Sequence, residues 1–128
     1  MTLDIIIQAE PIALAPPPCE GEGAVVRFEG RVRGEEKGRP IRALIYEAYQ
    51  PMAVRQMTTI LHELGKSHPC LSVRVRHRIG EIAVGEAAIV VEATALHRAE
   101  AFALVTAFMD RLKQDVPIWK MRAIPRES

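Results

Sequence analysis

The sequence predicts an α+β domain in which two main helices pack on a mostly antiparallel sheet. Three observations lead there. Two long stretches place apolar residues at three- and four-residue spacings, several shorter runs alternate with a period of two, and the connection "GEIAVGE" permits a hairpin but no crossover helix. With 128 residues and 48% hydrophobic content, residues 1–128 are expected to form one domain with a real core.

The elements follow in order. "LDIIIQ" reads as a short strand, and "APPPCEGEG" as a connector whose three prolines exclude helix and central strand. "GAVVRFEGRV" alternates around Val26, Phe28 and Gly30 and is expected to be a strand, while the polar "RGEEKGRP" is expected to be a mobile loop. "IRALIYEAY" resumes the strand pattern. The period then changes: Met52, Ala53, Met57, Ile60, Leu61 and Leu64 form a helical stripe over "QPMAVRQMTTILHELGKS", with Pro51 in the first turn and Gly65 near the stop.

"LSVRVRHRIG" alternates strictly, sending Leu71, Val73 and Val75 to a core face and Arg74, Arg76 and Arg78 to a wet, positive one. A turn at "GEIAVGE" leads to "AAIVVEATA", a central strand by its β-branched content. The second helix begins close to His97 and carries Phe102, Val105, Phe108, Met109 and Leu112 on its apolar stripe. Pro117 stops it, and "IWKMRAI" leaves as an extended tail.

Composition removes several function classes. The balance of 17 basic against 16 acidic side chains leaves a formal charge of +1, so no global field draws this chain to nucleic acid or a membrane surface. The start "MTLDIIIQAE" lacks the features of a signal peptide, and no run approaches the roughly 20 apolar residues of a membrane span. A cytoplasmic protein is expected. Cys19 and Cys70 have no paired spacing and read as buried or incidental. There is no Gly-rich phosphate loop, HExxH or GxSxG motif, and no metal ligand set or cofactor motif.

What remains is a basic constellation. Arg33 starts the polar loop, His97 and Arg98 stand where a strand hands over to a helix, and Lys113 and Lys120 flank that helix's exit. A helix N-terminus favours anions, and His97 with Arg98 adds donors of the right sign. Each residue also has an ordinary structural reading. A loop arginine is commonly just solvated, Lys113 complements a helix dipole by itself, and Trp119 suits a core or interface anchor. "RVRHR" equally suits the solvated face of an edge strand; an RNA-binding reading of it lacks the interleaved aromatics that stack on bases.

Taken together, "GAVVRFEGRVRG", "LIYEAYQPMA", "VRHRIGEIAVGE", "ALHRAEAF" and "MDRLKQDVPIWK" resemble, segment by segment, the large catalytic subunit of molybdopterin synthase, the MoaE family, from about Gly23 to Lys120. The resemblance implies an α/β-hammerhead-like fold. It also implies sulfur transfer from the C-terminal Gly-Gly thiocarboxylate of a small ubiquitin-like subunit to cyclic pyranopterin monophosphate, forming the molybdopterin dithiolene. By position it assigns Lys113 to the thiocarboxylate tail and to acid/base or covalent work, and Lys120 to the substrate or intermediate. Arg33, His97 and Arg98 fall to the anion pocket for the pterin phosphate, with His97 a candidate proton shuttle.

The family's large subunits form a homodimer within a heterotetramer, so His97 and Arg98 serve either their own pocket or the neighbouring chain's. Phe28 and Met109 match apolar positions beside that pocket. A non-catalytic module that docks a ubiquitin-like tail is the alternative, and it has no need of Arg33, His97 and Arg98. One departure stands out: the family commonly carries an acidic residue shortly after the WK pair and a longer tail with a second tryptophan, whereas "WKMRAIPRES" offers Met121 and Arg122. Weakened tail contacts are expected, with Arg122 as a substitute cation.

Overall fold

The structure, a computed structural model, describes residues 1–17 and 20–127. Cys19 lies outside them. The chain runs β1 (Thr2–Gln8), β2 (Ala24–Arg31), β3 (Glu35–Glu36), β4 (Arg39–Ala48), α1 (Gln50–Ser67), β5 (Ser72–Arg78), β6 (Gly80–Ala83), β7 (Ala87–Ala95), α2 (Arg98–Asp115) and β8 (Ile118–Pro125). This is the expected α+β class with two helices.

The strands form two four-stranded sheets rather than one. The first has the order β1-β5-β7-β2, with antiparallel β5–β7 and β7–β2 pairs and a parallel β1–β5 pair. A parallel neighbour needs a long connection, and residues 9–71 supply it. In the second sheet β4 carries β3 and β6 on the path and pairs with β8 besides.

Both helices pack against the first sheet. Their stripes meet strand side chains that alternate inward, so Met57, Leu61, Leu104 and Phe108 close over Val73, Val75 and Val91 in the larger core. A smaller core joins Ile41, Leu44 and Ile82 of the second sheet to Val32 and to Ala88 of β7. Burying a side chain of this size contributes roughly 1.5–3 kcal/mol, so the two cores hold the two sheets.

Several expectations are corrected. "RGEEKGRP" is not a plain loop: β3 and β4 form a hairpin whose turn residues Lys37 (φ 51°) and Gly38 (φ 78°) both take the left-handed conformation of a two-residue type I′ turn. "GEIAVGE" is more than a turn, because β6 pairs with β4 before the chain returns to β7. Gly65, by contrast, stands two residues before the end of α1, near the stop as expected. Phe102 is 57% exposed, and Met52 and Leu71 also lie outside the core, so each helical stripe is narrower than its spacing suggested.

The arginine face of β5 is neither wet nor at an edge. Arg74 and Arg27 pair with buried Glu92, Arg76 with Asp4, and Arg78 with Glu86. Glu92 could not be buried as an anion alone, and the two guanidiniums make its burial tolerable. With its cations neutralised in this way, β5 offers no free basic strip to a nucleic acid.

Candidate functional site

The cavity that gathers the basic residues, about 270 Å³ in volume, opens between the two sheets. Val32, Leu44, Ile89, Met109 and Leu112 give it an apolar lining, and Arg33, Lys113 and Lys120 bring cations to it from three different segments of the chain. Phe28 lines it too.

Local sequence explains each placement. At the end of α2, the Val116 N–H bonds back to the Leu112 carbonyl, and Pro117 cannot prolong the helix. The chain therefore reverses into β8, and Lys120 is carried to the same cavity as Lys113. Across β8 the register steps from Tyr46↔Lys120 to Ile45↔Arg122, so Met121 is an extra residue, a bulge of the kind that re-aims neighbouring side chains. A second bulge stands at Gly30/Arg31, where the register passes over Ala88, itself a lining residue. Gly30 is required at that place: a Cβ would lie 2.8 Å from the Ile89 side chain.

Among the lining residues that the sequence did not single out are Glu36, Tyr46 and His77. Lys120 Nζ donates to Glu36 Oε2 at 2.9 Å, and this bond holds the Glu36 carboxyl below the usual carboxylate range. Burial pushes the Tyr46 phenol up, and its ring meets His77 edge to face at 5.5 Å. His77 Nδ1 lies 2.8 Å from the Arg78 carbonyl, so it is Nδ1 that carries the proton of the neutral ring and Nε2 that accepts. The period-two pattern did contain this signal, since His77 shares the face of Val73 and Val75.

Burial lowers the His77 pKa below its ordinary 6.5. The unfolded chain then binds a proton that the folded chain refuses, so stability falls as pH drops from 6.5 towards the folded value. Thermal melts at about pH 7.5 and about pH 5.5 are expected to show a lower Tm in acid, and His77→Gln to shrink that difference. An unchanged pH dependence in the variant would remove His77 as its source.

The structure does not bring His97 and Arg98 to this cavity. His97 is the N-cap of α2, without a side-chain capping bond, and Arg98 is the first helical residue. Lys113 follows fifteen residues later on the same rigid helix, about 22 Å away along its axis. Both residues are exposed. Trp119 is 51% exposed and so is no core anchor in the single chain. Cys70 is buried, with burial raising its pKa and its Sγ donating to the Glu100 carbonyl, so it stays a protonated thiol. Beside the cavity, a groove of about 670 Å³ is lined by Lys37, Arg39, Met121 and Arg122 and shares only Glu36 and Lys120 with it.

Comparisons with known proteins agree on one family. The family model described as MoaE protein matches residues 6–115, a span that includes Arg33, His97, Arg98 and Lys113 and stops short of Lys120. The molybdopterin synthase catalytic subunit of Pyrococcus abyssi is 42% identical over 108 residues, 84% of this chain and 73% of that protein. Catalytic subunit 1 of Mycobacterium tuberculosis is 42% identical over 99 residues, covering 77% and 67%. The crystal structure of molybdopterin synthase from Staphylococcus aureus matches with a TM-score of 0.83 at 32% identity, over 95% of this chain and 91% of that one. Sequence and fold therefore point the same way.

Proposed function

From the chain's membership of the MoaE family, the catalytic subunits of molybdopterin synthase, we propose that it transfers sulfur from the C-terminal thiocarboxylate of a small ubiquitin-like subunit to cyclic pyranopterin monophosphate, giving the molybdopterin dithiolene. The observation that carries this reading is the convergence of Arg33, Lys113 and Lys120 on one apolar-lined cavity. A thiocarboxylate is an anion, and its attack on the pterin develops further negative charge. Fixed cations in a partly dry cavity stabilise that charge better than water does, because they need no reorganisation at the moment of reaction.

In this mechanism Lys113 receives the thiocarboxylate tail and moves the proton or holds the acyl group. Lys120 binds the substrate or intermediate, and Arg33 holds the phosphate. His97 and Arg98 act on the pocket of a neighbouring copy, which their distance along α2 favours. The apolar wall, Met109 and Phe28 included, excludes water from the reacting anion. The chain works as a single domain in the cytoplasm; among the described residues, no helix is long and apolar enough to cross a membrane.

The test is turnover. Mixed with a thiocarboxylated small subunit and cyclic pyranopterin monophosphate, the protein is expected to form dithiolene product. Binding of the small subunit with no product would replace this reading with a docking module.

A further inference from the structure

Glu36 is surrounded by cations. Lys120 Nζ donates to its carboxylate at 2.9 Å, and Lys37 and Arg33 add their attraction. It also stands with Lys120 where the cavity and the basic groove meet. β3 has only two residues, paired with Pro40 and Arg39 and closed at its base by the Ile41 N–H bond to the Gly34 carbonyl at 3.0 Å, so it is the Glu36 side chain rather than the hairpin that is free to move.

We infer that Glu36 is a latch on Lys120: its carboxylate takes the position that a ligand's oxyanion would take, an arriving phosphate or carboxylate displaces it, and cavity and groove then become one channel. The inference uses the proposed function only in taking Lys120 as an anion-binding group. Glu36 acts through Lys120 and is a positioning residue. Once the carboxylate swings away, Lys37, Arg39 and Arg122 on the groove side are available to the same ligand, with no acid between them and Lys120.

Two probes separate the possible sources of the anion. Inorganic pyrophosphate represents the phosphate of a small substrate, and a peptide ending in a Gly-Gly carboxylate represents a partner's tail. Calorimetric titration of the full-length protein at low ionic strength limits screening. Removing a half-exposed competing pair is expected to make Glu36→Gln bind at least one probe about fivefold more tightly, and the probe that gains identifies the source. In a Lys120→Ala background the same change is expected to alter affinity less than about twofold. Unchanged or weaker binding of both probes by Glu36→Gln overturns the latch, as does a gain that survives Lys120→Ala. Neither probe requires turnover, so a failed latch leaves the sulfur-transfer reading intact, and a failed turnover assay leaves the latch intact.

Discussion

Lys113→Ala is expected to lower dithiolene formation by on the order of a hundred- to a thousandfold, the size seen when one preorganised charge-stabilising group is removed from a reacting anion. The fold should barely notice. Lys113 is exposed in the last turn of α2 and has no ion-pair partner among the described residues. Its loss therefore removes a helix-dipole interaction of about 0.3–1 kcal/mol. Single-turnover assays of the complex, paired with thermal melts of the same preparations, separate the two effects. Near-normal turnover in the variant would end the assignment of Lys113, and a collapsed melt would show instead that the lysine is structural.

The second large effect is a gain. A chain carrying His97→Ala with Arg98→Ala and a chain carrying Lys113→Ala are each expected to be almost inactive alone. If α2 delivers its first turn to one site and its last turn to another, unfolding and refolding the two together should restore activity. In a randomly mixed symmetric dimer roughly one site in four then holds every wild-type group, so recovery should approach a quarter of the normal rate. Recovery no greater than the sum of the two separate preparations would overturn the assignment of His97 and Arg98 to a neighbouring copy's site.

Helix and strand identity was legible because it rests on periodicity. α1 fell on Gln50–Ser67 and β7 on Ala87–Ala95, where apolar spacing is unambiguous. Partner choice was less so. Nothing in "RGEEKGRP" announces that its carboxylate reaches Lys120, since that contact depends on where β8 lies; the Lys37-Gly38 turn alone could have been read as a hairpin. The arginines of β5 looked solvated because a strand's pattern does not disclose that Glu92, Asp4 and Glu86 stand beside it. Phe102 looked like core because a spacing argument counts positions without knowing how wide a stripe the neighbours cover. Of the basic residues, Arg33, Lys113 and Lys120 converge within one chain, and the other two do not.

The two cores described above have a mechanical consequence. Lys113 rides on α2, which is seated in the large core, whereas Lys120 rides on β8, which is bonded to β4 in the other sheet. The gap between the two ammonium groups is therefore set by how the two cores seat against each other, with Ile118 of β8 packed on the large core and Ala88 of β7 placed in the small one. A change that thins the smaller core, at Ile82 for example, is expected to reach the chemistry as altered spacing between charges without touching a residue that meets the substrate.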